Sequence, residues 1–321
     1  MKTTKLVITV ISLSMICCSL HAQINRINRA VQRGVENAVE KKAEEKAEES
    51  ASNAIDKAFE KAEAERARGE AEAERGLNIA IEKIEEAQRN QEEADALAAS
   101  MHREIPEVGN NPYTPANNES VFFPMKLGSV QHYVSKDAKG KVVSQSRNTI
   151  KSITGDKNAF AVYYQTEILN DKGNPANKDN PQHLNFKVVV KDGVMYLDMK
   201  EMFGTIDGLN DVEATGTAMK IPTNLAVGQV LENTSARVKI GFLSCTVIMT
   251  DIKCVAIEDV KVEAGTFKCH KITQKSNSTI MGIKSEGTVH TWYSKGVGAV
   301  KTETYDKNGN LVSVQELKSF N

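Results

Sequence analysis

Residues 258–272 read EDVKVEAGTFKCHKI, and this stretch decides how the rest of the chain is read. Val260 and Val262 alternate with charged residues, Ala264-Gly265 interrupts the run, and Thr266 to Ile272 resumes it. Period-two patterning on both sides of a glycine predicts a β-hairpin, with Gly265 reversing the chain and Phe267 and Cys269 packing on one inward face. Cys269 and His270 are adjacent, so a strand sends their side chains to opposite faces. They are poorly placed to share a metal or act as a nucleophile–base pair.

Working outward, the same alternation recurs. After the hairpin come strand patterns at Ser285–Tyr293, Gly298–Tyr305 and Leu311–Phe320, the last two separated by Asp306-Lys307-Asn308-Gly309. Before it lie Gln131–Val134, Val142–Ile153, Phe160–Leu169, Phe186–Val190, Val194–Met199, Val238–Ile240 and Cys245–Ile257. Lys191-Asp192-Gly193 between two such runs is a strong hairpin signal. Gly204–Gly216 is polar and predicts a loop. The Asp-x-x-Gly turns at Asp137–Gly140 and Asp306–Gly309 echo each other, which common turn chemistry explains nearly as well as duplication. Short strands at near-regular spacing predict an antiparallel sandwich or half-barrel over residues 122–321. Met195, Met249 and Met281 sit among β-branched neighbours and read as core filler.

The N-terminal part is different in kind. Residues 24–104 hold 14 basic and 20 acidic side chains, 18 alanines and no Pro, Tyr or Trp. That composition predicts a helical arm over 23–104, rich in Ala, Glu and Lys, so the fold class expected for the whole chain is α+β. From Ile27 to Phe59 apolar residues fall every fourth position and wrap around the helix. From Ala73 they alternate four and three (Leu77, Ala80, Ile84, Ala87, Gln91, Ala94, Ala98, Met101), which is a heptad seam and a route to a homo-oligomer through 73–101. Gly69 and Gly76 mark an expected break. Ile105–Val121 is rich in Pro and Asn and reads as a linker. Met1–Ala22 has Lys2 and Lys5, an apolar run from Leu6 to Ile16 and a small-residue exit, the pattern of a secretory leader. Cys17 and Cys18 raise a lipoprotein signal as the rival, but Ile16 stands where lipidation wants a small residue. No stretch approaches the 18 apolar residues of a membrane-spanning helix.

The β region resembles the TapB-like family of exported bacterial domains over roughly residues 120–321. The likeness rests on Phe122-Phe123-Pro124 with Gly128, on Pro222–Gly228, on Glu258-Asp259-Val260 with Ala264-Gly265-Thr266-Phe267-Lys268-Cys269, on Trp292-Tyr293 with Gly296-Val297-Gly298, and on Tyr305-Asp306 with Gly309. Glu263 stands where the family would have Pro, and His270 where Tyr is common. The resemblance implies export into a Gram-negative envelope and a β fold like the half-barrels of periplasmic lipoprotein carriers. It carries over no catalytic residue.

The net charge of −1 offers no phosphate-backbone footprint, so no nucleic-acid partner is expected. Neither H-E-x-x-H, G-x-S-x-G nor a Walker-type glycine loop occurs, and no cofactor or metal is implied. Cys245 and Cys254 could form a disulfide only if Met249–Asp251 were a turn; on one straight strand they would stand about 30 Å apart. The expected protein is a non-enzymatic envelope component, periplasmic, outer-membrane associated or secreted. Its β domain would bind or scaffold, with an unknown envelope protein or an apolar ligand as partner. A tether or oligomer built by the arm is the alternative reading, and an enzyme comes third.

Overall fold

The computed structural model describes residues 53–101, 105–115, 121–175, 183–198, 212–240 and 243–321. The leader expected over 1–22, the arm up to residue 52 and the segment 199–211 lie outside the described residues. Among the described residues one helix, α1 (Asn53–Ser100), precedes thirteen strands. These are β1 (Val130–Asp137), β2 (Val142–Gly155), β3 (Ala159–Leu169), β4 (His183–Lys191), β5 (Val194–Asp198), β6 (Val212–Gly216), β7 (Ala218–Pro222), β8 (Thr234–Ile240), β9 (Leu243–Val262), β10 (Gly265–Ile280), β11 (Ile283–Ser294), β12 (Gly298–Asp306) and β13 (Leu311–Phe320).

All pairings are antiparallel, in the order β6-β8-β9-β10-β11-β12-β13-β1-β2-β3-β4-β5-β7. The two strands at the ends of this order are consecutive in the chain. Only Thr217 separates β6, which pairs with β8, from β7, which pairs with β5. The extended run 212–222 therefore changes partners at Thr217 and draws the two edges of the sheet together into a nearly closed barrel, so of the two expected forms, sandwich or half-barrel, the single rolled sheet is nearer the second. Thr217 is fully buried at the change-over, and its polar groups are met locally. Its N–H donates to Ser235 O (2.9 Å), its Oγ1 accepts from Ser235 N (2.8 Å), and Oγ1 lies 2.8 Å from Thr234 Oγ1. The loop expected over Gly204–Gly216 is thus β6 in its last five residues. Ala214 packs against the core while Glu213 and Thr215 are exposed, too little apolar content to announce a strand.

The opening stretch forms the end of the longest hairpin. Val262 pairs with Gly265 across the two-residue turn Glu263-Ala264, and Gly265 has φ +137°, a backbone that β-branched residues rarely adopt. Cys245, Val247 and Met249 on β9 face the main core; two residues, Asp251 and Ile252, then oppose Gln274 alone. This bulge, with Asp251 at φ +53°, resets the alternation so that Ile252 and Cys254 also face inward. Met281 does not fill the core. It occupies the two-residue turn Met281-Gly282 between β10 and β11, at φ +48° and exposed.

The helix runs through Gly69 and Gly76 without interruption. Its expected seam divides in two. Ala94 and Ala98 are buried and Gln91 half-buried against the outer face of β8 and β9, whereas the described side chains of residues 75–86 are exposed. The C-terminal part of the expected oligomer seam therefore packs on the chain's own barrel.

Candidate functional site

Polar and apolar side chains come together in the barrel interior and in the outer groove that receives α1. The interior is filled by a segment that belongs to no strand. Val121, Phe122, Phe123 and Met125 are buried there, although Val121 falls in the expected linker. The ring of Phe122 meets that of His270 edge-on at 4.8 Å. Phe123 lies 5.1 Å from Tyr164, which stacks on Phe186 at 5.1 Å. Gly296 N–H donates to Val121 O (2.7 Å), tying the plug to the β11–β12 turn.

Beside the plug remains a cavity of about 70 Å³. Phe122, Phe123, Met195 and Leu197 supply its apolar side; Gln131, Ser146, Asn148, Thr166 and Gln315 supply its polar side. No ionised group lines it, because the phenols of Tyr133 and Tyr293 are pushed up by burial and stay protonated. The polar wall follows from register. Gln131 pairs with Asn148 and Asn148 with Thr166, so these side chains share one face of β1, β2 and β3.

The hairpin residues singled out in the sequence lie on the other face. Gly265 follows the turn, Phe267 is half-buried, and Cys269 is fully buried in a second cluster with Trp292, Val260, Val297 and Leu317. Burial pushes the Cys269 thiol up to about 12, helped by Asp259 and Glu258. Trp292 Nε1 donates to Glu258 Oε1 (2.6 Å), and the ammonium groups of Lys271 and Lys301 sit 4.6 and 5.4 Å from its ring. His270 points to the opposite face, against Phe122, as adjacency on a strand requires. Cys245 and Cys254 are buried free thiols on β9, which passes through Met249–Asp251 without the turn that a bridge would need. Among the described residues no group of three or more His, Cys, Asp or Glu side chains could hold a metal ion.

The groove under α1 is polar. Asp95 Oδ2 pairs with Arg237 Nε at 2.7 Å, and Asp95 Oδ1 accepts from Gln91 Nε2 (2.9 Å) and from Thr246 Oγ1. Gln91 Nε2 also donates to Thr246 Oγ1 (3.0 Å), while Gln91 Oε1 accepts from Gly282 N (3.1 Å). Asn90 Nδ2 donates to Gly282 O (3.2 Å), and Ser235 Oγ to Ala98 O (3.2 Å). Sequence reasoning missed Gln131, Thr217 and Arg237, since each acquires its role from partners that only the fold brings near.

A family model described as DUF3108-like matches residues 126–317. That family has no assigned function and bears a different name from the TapB-like domains read from the sequence. What the two readings share is a family of β domains with exported relatives. Among solved structures, the chain is similar to a Bacteroides fragilis protein described as a candidate exported protein with a YmcC-like fold. Identity is 18%, the TM-score 0.54, and the match covers 63% of this chain and 99% of that one. It is also similar to a candidate lipoprotein from Parabacteroides distasonis, with 22% identity, a TM-score of 0.55, and coverage of 64% and 100%. At such identities the likeness is one of fold. No curated protein matches the chain.

Proposed function

This chain belongs to the DUF3108-like family, and from that premise we propose an exported, non-enzymatic envelope protein whose barrel is a mount and whose helix is the part it presents. Periplasmic or outer-membrane-associated placement fits the leader pattern and the descriptions of the solved neighbours. The observation that carries the scaffold reading is the plug. Phe122 and Phe123 take the interior that an apolar ligand would need, and the space left beside them, about 70 Å³, is far below the roughly 300–1,000 Å³ of a ligand pocket.

The outer groove completes the reading. Gln91, Asp95, Ala94 and Ala98 hold one end of α1 against β8 and β9, so the helix leaves the barrel at a defined angle. Residues 53–86 then extend for about 50 Å, at 1.5 Å per residue. The partner expected for that extension is another envelope component. Solvent extraction of the purified full chain, followed by mass spectrometry, checks the scaffold reading. No lipid near one equivalent should appear; a stoichiometric lipid would return the barrel to the class of carriers.

A further inference from the structure

The sheet order contains two runs of six strands, each in chain order: β1-β2-β3-β4-β5-β7 and β8-β9-β10-β11-β12-β13. Their second strands correspond residue by residue. In β2, Ile150 turns its backbone away from β3, since Gly128 N donates to Ile150 O and Ile150 N to Ser129 O, both at 3.0 Å. Lys151 then bulges, because Ile150 pairs with Tyr164 and Ser152 with Tyr163. In β9, Gly228 N donates to Cys254 O (2.8 Å) and Cys254 N to Gln229 O (2.9 Å). Val255 then bulges, because Cys254 pairs with Ile272 and Ala256 with Lys271. Ile150 thus corresponds to Cys254, Ile153 to Ile257 and Gly155 to Asp259.

Beyond the two bulges the edges differ. Along β2 the chain covers its own edge. Tyr113 N donates to Ile153 O (3.0 Å), Gly155 N donates to Asn111 O (2.8 Å), and Pro112 bridges to Thr154 between them. Ile153 is thereby only 7% exposed, and Tyr113 packs against the core that holds it. Along β9 nothing takes that place among the described residues. Backbone groups alternate in direction along a strand, so Ile257 and Asp259, like Ile153 and Gly155, face away from the paired neighbour. Ile257 O and Asp259 N have no hydrogen bond on that side among the described residues. Ile257 is 39% exposed, and the exposed carboxylate of Asp259 enters no ion pair among the described residues.

We propose that residues 257–259 are a docking edge for an extended segment of a partner protein, added antiparallel to β9 as residues 111–113 add to β2. Main-chain bonds hold such a strand, and its alternate side chains select it. The partner residue opposite Asp259 accepts from Asp259 N and carries a basic side chain, the complement of the unpaired carboxylate. Two positions later, the residue opposite Ile257 donates its N–H to Ile257 O and lays an apolar side chain over Ile257. The residue between them faces Glu258, whose carboxylate is taken by Trp292 Nε1 (2.6 Å). The segment therefore reads basic, any, apolar from N to C. The proposal does not rest on the scaffold reading, because this edge belongs to the barrel and not to α1.

Amide-resolved nuclear magnetic resonance on the isotope-labelled full chain tests it, with a synthetic peptide of residues 108–115 carrying Asn111→Lys as the probe. The Asp259 amide should exchange fast in the free chain; the peptide should slow it and shift the amides of 255–261 saturably. Asp259→Pro removes the outward N–H and leaves the β9–β10 ladder intact, so the folded variant should bind about tenfold more weakly. Should the proline prevent folding, Asp259→Lys keeps the backbone donor. It should weaken the lysine peptide about two- to fivefold, the range for an exposed ion pair, and favour the same peptide with Asn111→Glu. No response of 255–261 at millimolar peptide overturns the edge, as does undiminished binding by both variants. Shifts at 152–155 alone overturn it too, since the peptide would then only displace the chain's own 111–113. An Asp259 amide already slow to exchange without peptide overturns the assignment to a partner, and sedimentation then tells a second copy from the chain's own residues.

Discussion

At the residue scale, the histidines carry the clearest consequence of burial. Burial lowers the pKa of His270, with Lys295 and Lys268 adding to the effect beside Phe122. Burial likewise lowers His290, Lys271 adding to the effect while Glu303 opposes it, and His132, where Lys318 and Arg147 outweigh Glu263 but the Gln145 hydrogen bond pulls the other way. A histidine whose folded pKa lies below its unfolded value, about 6.5, favours the native state only while neutral. As pH falls below 6.5 the unfolded chain takes up protons that the native state refuses, so stability falls. The urea midpoint should therefore be lower at pH 5.5 than at pH 7.5, and His270→Phe, which keeps a ring against Phe122, should remove part of the difference. An unchanged or higher midpoint at pH 5.5 would contradict this account. Cys269 illustrates what was legible at this scale: alternation with Phe267 put it in a packed cluster, and it is fully buried there. Gln131 illustrates what was not, because its role depends on Val297 and Ala299, 166 positions away from Gln131 and Tyr133 respectively.

At the scale of elements, the contact between α1 and the barrel turns on the Met281-Gly282 turn. A Cβ placed on Gly282 would lie 1.9 Å from the carbonyl oxygen of Ala87, and its φ of +78° already disfavours any side chain. Gly309 has the same φ of +78° in a turn of open surroundings, with nothing near an added Cβ. Gly309→Ala should cost only the left-handed strain, about 1–2 kcal/mol. Gly282→Ala should cost more, and the excess should appear as faster amide exchange over residues 87–98, where the helix is pushed from its groove. Equal losses for the two variants, with unchanged exchange in the helix, would mean that the docking contributes little. Local patterning explains why the strands were readable here and the helix partner was not. Lys191-Asp192-Gly193 announces a type I′ hairpin within a few residues, and Asp192 and Gly193 do adopt positive φ of 50° and 72°. The alanine seam announces only that something packs closely. Whether the partner is a second helix or Thr246 and Arg237 on a sheet surface is written in residues some 150 positions later.

At the scale of the whole molecule, the barrel is closed by a strand that changes partners and is filled by a segment that is no strand at all. Both features were invisible in sequence for the same reason: each is a long-range agreement between weak local patterns. Val212–Gly216 is polar enough to pass for a loop, and Val121 to Met125 sits at the end of a Pro- and Asn-rich stretch. Energetically the two fillings of the molecule are unequal. The outer groove is held by hydrogen bonds and by ion pairs that are partly exposed, Asp95–Arg237 among them, and such pairs contribute little net stability. The plug instead places Phe122, fully buried, where the inner faces of many strands converge. Phe122→Ala should consequently cost about 3–5 kcal/mol, the range for deleting a buried phenylalanine. Phe267→Ala, half-buried in the smaller outer cluster, should cost clearly less. Urea unfolding followed by tryptophan fluorescence compares them, because Trp292 sits on β11 outside the plug and reports on the barrel as a whole. If Phe122→Ala unfolds within a few tenths of a kcal/mol of the parent chain, the plug is an ornament, and the interior must be held by the strands alone.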